Sequence, residues 1–298
     1  MTNPRPIYKG TTYLITRRCT QRQLLLRPCA LNNQIFLYCL AMAAERTGVL
    51  VHGVCVLSNH YHAVVTDPQG RIPEMTHYLH EYVSKCINTS LGRWENMWSN
   101  EQPSMVALTD DKDVLDKLVY TLANPVQAFL VAQGDQWPGV RTTPQDMLNK
   151  PIPCTRPPVF FSEKGSTKGE VLLEIRRPKI FKSLNKGKFV ALLQKAIQAK
   201  ETELRSQAKE KRIRFLGVRK VRAQQSTDTP RTIAPRRNLK PRVAAKSKWS
   251  RIEALRRLTR FIEDYRCEWL KWSKGIRDVL FPKGTYALVR FASVPHLT

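Results

Sequence analysis

Two histidines one residue apart, His60 and His62, are the first side chains in this sequence whose type and spacing suggest chemistry. They lie in the stretch VHGVCVLSNHYHAVVTD (residues 51–67), whose apolar and β-branched residues predict strands. Side chains two positions apart on a strand share a face, so the two imidazoles would project together, away from Tyr61. Two convergent imidazoles can bind one divalent cation. The same pattern also fits strand histidines that bind nothing.

A second candidate group lies about sixty residues later, in VLDKLVYTLANPVQAFLV (residues 114–131). Tyr120 and Asn124 are four residues apart, which places them on one face of a predicted helix. Pro125 disfavours helical geometry at the residue before it, so we expect a break at Asn124, with that side chain capping a new turn. The spacing alone also fits a core aromatic residue at Tyr120.

Taken in order, SNHYHAVV and YTLANPVQAFLV resemble the pattern of the REP-associated tyrosine transposases, relatives of the small single-strand insertion-sequence transposases in the HUH nuclease superfamily. That pattern is an N-H-x-H strand followed by a helix with Y-x-x-x-N-P-V-x-A. The resemblance covers residues 13–131. Two departures are visible: Leu57 and Ser58 stand where Met-Pro is common, and Gln127 stands where the family usually has arginine.

The resemblance implies a role for each of these residues. His60 and His62 would be metal ligands, Asn124 the third polar ligand and Tyr120 the nucleophile, with Mg²⁺ or Mn²⁺ as the metal. The cation would withdraw charge from a phosphodiester, and tyrosine attack would keep the phosphate as a phosphotyrosine ester. Because a phenol is a better leaving group than an aliphatic alcohol, a DNA hydroxyl could reverse the step. The implied function is a transposase or endonuclease that cleaves and rejoins single-stranded DNA at hairpins.

Two other functions fit the same residues. The chain could be a DNA-binding protein on the same scaffold without catalytic activity, or an RNA-binding regulatory protein that uses its C-terminal aromatic and basic residues. Covalent capture of DNA separates the transposase from both.

The elements that must position these motifs predict an α+β fold. The resemblance implies a ferredoxin-like antiparallel sheet with helices on one or both faces, and the order of segments agrees with it. We expect His77 and His80 to be surface or packing residues, because no acidic or cysteine ligand accompanies them at the spacing of a metal site. Strands are predicted at residues 11–19, 50–57, 62–66 and 104–108, and helices at 32–46, 73–91 and from 110 onward.

Positive charge is concentrated in the second half of the 298-residue chain. Residues 1–150 carry 14 Lys and Arg against 12 Asp and Glu, whereas residues 151–298 carry 36 against 12, a net charge of +24. Such asymmetry is typical of a polyanion partner, and nucleic acid fits it better than an anionic membrane surface. The resemblance implies that this partner is single-stranded or hairpin DNA. The resemblance implies an HUH transposase domain at residues 1–137, followed by a basic, mainly helical extension at residues 138–298. From the charge we predict that residues 1–150 carry the chemistry and that residues 151–298 carry most of the DNA affinity.

The extension itself is predicted to be heterogeneous. Tryptophans interleaved with cations near residue 269 could stack on bases, although Trp269 fits a core position better. The segments expected are an irregular connection at 138–158, helices at 181–211 and 252–270, partial disorder at 211–242, and strand character at 281–294.

Composition excludes several other classes of protein. No apolar run is long enough for a membrane span and no signal core is visible, so we expect a cytoplasmic protein without membrane association. Seven scattered cysteines without C-x-x-C indicate neither a disulfide framework nor a cysteine zinc site. We expect no small-molecule substrate, and the chain could form a homodimer.

Overall fold

The protein is described by a computed structural model that covers residues 4–162, 164–231 and 242–297. The strands in these ranges are β1 (Thr11–Arg18), β2 (Leu50–Leu57), β3 (His60–Asp67), β4 (Ser104–Leu108), β5 (Ile152–Thr155), β6 (Glu170–Leu173) and β7 (Val243–Ala244). The helices are α1 (Ala30–Thr47), α2 (Ile72–Ser90), α3 (Asp111–Leu122), α4 (Asn124–Gln127), α5 (Lys186–Glu210), α6 (Val218–Arg222), α7 (Lys248–Ser273) and α8 (Ala287–Ala292).

The main sheet has five strands in the order β2-β3-β1-β4-β7. Its first four strands pair antiparallel and are connected as β1-α1-β2-β3-α2-β4, which is the ferredoxin-like arrangement. The short strand β7 adds to β4 in parallel, and β5 and β6 form a separate hairpin. The predicted α+β fold is confirmed.

The two faces of the sheet are covered by different helices. Helices α1 and α2 cover the face that carries Tyr61, whose ring packs 5.1 Å from Phe36 and whose hydroxyl lies 2.6 Å from His80 Nε2. Helix α3 covers the opposite face. It approaches β2 so closely that a Cβ on Gly53 would lie 3.1 Å from Leu118 Cδ2.

Residues beyond 137 pack against the main sheet and extend its hydrophobic core. Val56 N donates to Val140 O and Thr142 N to Val54 O, so the chain covers the outer edge of β2, which would otherwise expose unpaired peptide groups. Buried side chains of β6 and α5, among them Leu173 and Phe189, extend the core that the sheet begins. The boundary at residue 137 stays a prediction.

Most predicted elements are present within a few residues, but the C-terminal strand is wrong. Residues 287–292 form α8, whose Leu288 and Val289 pack against a small cluster around Phe281. The predicted disorder at 211–242 lies partly outside the described residues, since 232–241 are not described, and residues 218–222 form α6. No helix in the described ranges is long and apolar enough to cross a membrane.

The capping role predicted for Asn124 is also wrong. Ala123 is both the last cap of α3 and the first cap of α4, so Asn124 already belongs to the new helix. The reason is that the helical hydrogen bonds of α3 continue to Ala123, whose N donates to Val119 O at 2.8 Å, so that Ala123 and not Asn124 separates the two helices.

Replacing Phe189 by alanine tests whether α5 is part of the core. Phe189 is fully buried and its ring lies 4.7 Å from that of Phe181, so the truncation should lower the free energy of unfolding by about 3–5 kcal/mol. Leu192→Ala on the exposed side of α5 is the matched control and should cost much less. Equal, small losses in urea unfolding of both variants would show that α5 is not part of the core.

His52 should make folding pH-dependent. It is the extra residue of a bulge in β2, where His52 Nδ1 lies 2.6 Å from Arg176 O and Nε2 lies 2.7 Å from Thr66 Oγ1. Burial lowers the pKa of His52 to about 4. Because the unfolded chain binds the proton more readily, stability is lost as pH falls from the usual histidine range towards 4.

The measurement is thermal unfolding across that pH window. In His52→Gln the acid-induced loss should shrink by an amount of the order of 3 kcal/mol, whereas His77→Gln, at an exposed position on α2, should follow the parent. A His52→Gln profile identical to that of the parent would rule out this origin of the pH dependence.

Candidate active site

The two motif histidines lie together at the start of β3, on the sheet face that α3 covers. Their ring centroids are 5.0 Å apart and the rings are nearly perpendicular. His62 is buried and His60 is half-buried. Pairing between β1 and β3 places Thr16 opposite His62 and Arg18 opposite His60, so these side chains share that face.

The turn before β3 fixes the tautomer of His60. Asn59 Nδ2 donates to Arg22 O at 3.1 Å, which orients the amide so that Asn59 Oδ1 faces His60 Nδ1 at 2.7 Å. An amide oxygen only accepts hydrogen bonds, so Nδ1 of the neutral ring must carry the proton. The lone pair of His60 Nε2 is therefore left for another partner.

His62 is oriented in a similar way by β1. Its Nδ1 lies 2.7 Å from Thr16 Oγ1, while its Nε2 is buried and has no hydrogen-bond partner among the described residues. A buried polar atom without a partner is costly, and proteins keep few of them. Histidine ligands characteristically bond one nitrogen to the protein and present the other to a metal, so both rings fit that role.

The electrostatics keep both rings neutral. Burial, together with the nearby positive charge of Arg18, lowers the pKa of His60 to about 4. Burial lowers the pKa of His62 well below its ordinary value, and His60 and Arg18 lower it further. Neutral imidazoles retain the lone pair that a cation requires.

Tyr120 lies beside this pair on α3. Its ring centroid is 5.1 Å from that of His62, and Lys117 Nζ lies 5.7 Å from the centre of the Tyr120 ring. Within the described part of the chain, no side chain or backbone group hydrogen-bonds to its hydroxyl, which is therefore available to a ligand. The helix is fixed at its start by Asp110, which accepts from Asp113 N, and at its end by Arg141 Nε, which donates to Leu122 O at 2.6 Å.

Asn124 lies one helical turn after Tyr120, at the start of α4, and is buried. The described ranges contain no cluster of three or more His, Cys, Asp or Glu side chains suited to a metal. A cation held by His60 and His62 would therefore need neutral amide, water or phosphate oxygens for its other positions. The protein's share of such a set adds no negative charge, so the cation would stay strongly electrophilic towards a bound phosphate.

The structure thus brings His60, His62 and Tyr120 together and places Asn124 on the next turn. His77 and His80 lie away from this group. His77 is exposed and lies 3.2 Å from Glu81, while His80 is buried on the opposite face of the sheet.

Three residues that surround the two histidines were not identified from the sequence. Asn59, which precedes the first histidine, occurs in the N-H-x-H pattern but was assigned no role there. Thr16 and Arg18 are identified only by the β1–β3 register, a contact between segments more than forty residues apart.

The chain is similar to two solved structures of transposases. One is a REP-associated tyrosine transposase bound to a REP hairpin, at 20% identity and a TM-score of 0.40, covering 47% of this chain and 81% of that one. The other is a candidate transposase from Deinococcus radiodurans R1, at 15% identity and a TM-score of 0.29, covering 38% of this chain and 89% of that one. No protein-family model matches the chain, and no curated protein is significantly similar to it in sequence.

The tautomer of His60 can be tested directly. In ¹⁵N-labelled protein with chelator present, His60 should be neutral and protonated at Nδ1 down to about pH 5, because its pKa is lowered to about 4. In Asn59→Ala the Nδ1 proton loses its acceptor, and the Nε2-protonated form should become populated. A His60 ring in the parent that is protonated at Nε2, or that titrates near pH 6.5, would contradict this arrangement.

Proposed function

We propose that this chain is a metal-dependent, single-tyrosine transposase that cleaves and rejoins single-stranded DNA at hairpins. The observation that carries the proposal is that the neutral rings of His60 and His62 lie beside the ring of Tyr120. Each imidazole contacts the protein through Nδ1, which leaves its Nε2 for a ligand. The sequence resemblance to REP-associated tyrosine transposases supports the same assignment.

His60 and His62 would hold Mg²⁺ or Mn²⁺, with Asn124 as the third protein ligand. When bound, the cation neutralises charge on the nonbridging phosphate oxygens and orients the phosphate. Asn59 would keep His60 in the required tautomer, and Thr16 would hold the rotation of the His62 ring and accept a hydrogen bond from its Nδ1. The exposed guanidinium of Arg18, opposite His60 on the same face, would bind a phosphate of the incoming strand.

Tyr120 would act as the nucleophile. Its oxygen forms a bond to phosphorus, the bond from phosphorus to one deoxyribose oxygen breaks, and the phenolic proton is transferred overall to the departing strand end. The product is a phosphotyrosine ester and a free hydroxyl, so the number of phosphate ester bonds is unchanged. A hydroxyl of another DNA end can then reverse the exchange, which makes strand transfer the favoured outcome over hydrolysis.

Tyr120→Phe tests the nucleophile. With a labelled single-stranded hairpin and Mn²⁺, the parent should form an adduct that survives denaturing electrophoresis, and the variant should form none, because only the attacking oxygen is lost. Binding of the hairpin should be retained. Tyr78→Phe, on α2 at the opposite face of the sheet, is the matched control and should form the adduct normally. An adduct of undiminished yield in Tyr120→Phe would reject the assignment.

Thr16→Val tests the metal ligands without removing one. The variant keeps the size of the side chain but loses the bond to His62 Nδ1, so Mn²⁺ affinity measured by calorimetry should fall about 10-fold or more. Thr12→Val, which instead loses a bond to Thr66, should bind Mn²⁺ like the parent. Adduct formation that continues in excess chelator would exclude a metal-dependent reaction.

A further inference from the structure

A groove of about 850 Å³ begins beside His60 and is lined on one side by the sheet end and on the other by C-terminal residues. We call residues 211–231, which form that second side, the return segment. The sheet side includes Arg22, Ser58 and His60. The groove therefore connects the candidate active site to the basic half of the chain.

The return segment is held in place by hydrogen bonds at several points. Leu24 N donates to Asp228 O at 2.9 Å, Leu216 N donates to Phe129 O at 2.9 Å, and Ser58 Oγ donates to Gln224 Oε1 at 2.6 Å. Val221 is fully buried in a small apolar cluster together with residues of β2. These contacts fix the return segment against the end of the sheet, so both sides of the groove are part of the folded structure.

The groove is positively charged. Arg214, Lys220 and Arg231 line it, are exposed, and form no ion pair with a carboxylate in the part of the chain that the structure describes. Asp228 is the acidic residue on the return-segment side, and its carboxylate accepts a hydrogen bond from Gln225 N at 2.8 Å within its own turn. Three cations at one groove attract a polyanion.

Phe129 adds an aromatic surface to the groove. Its φ of 54° is a left-handed backbone conformation that is unfavourable for a bulky residue. Hydrogen bonds on either side maintain it, from Phe129 N to Val126 O and from Leu216 N to Phe129 O. The half-buried ring lies 5.9 Å from the ring of Phe215. Strained residues of this kind concentrate at ligand sites.

We infer that this groove binds one unpaired nucleic-acid strand and leads it to His60, an inference that rests on the proposed function for the identity of the strand as DNA. Arg214, Lys220 and Arg231 bind consecutive phosphates, and Phe129 stacks on a base. The combination of cations with an aromatic face selects a single strand, since a base in a duplex has no free face to offer. The return segment is thereby a part of the substrate site that lies outside the resemblance to known transposases.

Salt-dependent binding tests the phosphate contacts. A labelled single strand is titrated in chelator with the full-length chain carrying Tyr120→Phe, so that cleavage cannot occur. Adding Arg214→Gln, Lys220→Gln and Arg231→Gln should weaken binding by roughly tenfold or more. Each phosphate contact on a single strand contributes about 0.7 to the slope of log affinity against log salt, so the loss of three contacts should reduce the magnitude of that slope by about 2. The matched control removes three exposed lysines of α5, Lys186, Lys188 and Lys195, by the same change.

The control should leave the slope within about 0.7 of the parent. Equal losses in the groove variant and in the α5 variant would show that only net charge matters and would overturn the inference. Because no metal is present, these results are independent of catalysis. If the parent forms the covalent adduct but the groove and α5 variants lose affinity equally, the groove inference alone is refuted. If the parent forms no adduct but the groove variant loses more affinity than the α5 variant, the proposed function alone is refuted.

Phe129 is tested by two substitutions. Phe129→Gly removes the ring and keeps the left-handed backbone without steric cost, so single-strand affinity should fall about 5- to 100-fold. Phe129→Trp keeps an aromatic face and should retain most of the affinity, which distinguishes lost stacking from lost structure. Parent-like affinity in Phe129→Gly, or an equal loss in both variants, would overturn the stacking role.

Discussion

The close approach of α3 to the sheet at Gly53 is the constraint on which the candidate site depends. Leu118 Cδ2 and Leu122 Cδ2 would lie 3.1 and 3.6 Å from a Cβ at this position, so a side chain here would press on the helix. With glycine, α3 packs directly on β2 and β3. Tyr120, two residues beyond Leu118, is then held 5.1 Å from the His62 ring. The absence of a side chain at Gly53 thus lets the helix with the proposed nucleophile lie close to the strand with the proposed ligands.

The same packing explains why both histidines are neutral and why the buried Nε2 of His62 has no hydrogen-bond partner among the described residues. A sheet face covered by a helix is poorly solvated, and carrying a proton there would cost desolvation free energy, which lowers the pKa of both rings. Thr16 and Asn59 satisfy only Nδ1. The buried Nε2 of His62 is left without a partner beside the Tyr120 ring, and the proposed cation would satisfy it there.

Much of this was accessible from the sequence, because it depends on local patterns. The two-residue spacing of His60 and His62 and the four-residue spacing of Tyr120 and Asn124 place each pair on one face from backbone geometry alone. What joins the pairs is long-range: the register of β1 on β3 and the seating of α3 on β2. The C-terminal strand was wrong because alternation in a short segment also fits a helix packed on one side.

The charge asymmetry is visible in the sequence, but its place in the fold is not. Residues with a net charge of +24 do not simply follow a finished domain, since Phe189 of α5 lies in the core and Glu201 lies 3.7 Å from Arg141, the residue that fixes the end of α3. The basic half thus supports the helix that carries Tyr120. Such packing depends on tertiary contacts between distant segments, for which composition gives no signal.

The most direct test of the account is the site of covalent attachment. After incubation of the full-length chain with a single-stranded hairpin and Mn²⁺, digestion with nuclease and trypsin followed by mass spectrometry should find a nucleotide on the peptide that contains Tyr120, joined through its phenolic oxygen. A nucleotide attached to any other side chain, or strand cleavage with no protein-linked nucleotide at all, would contradict the account.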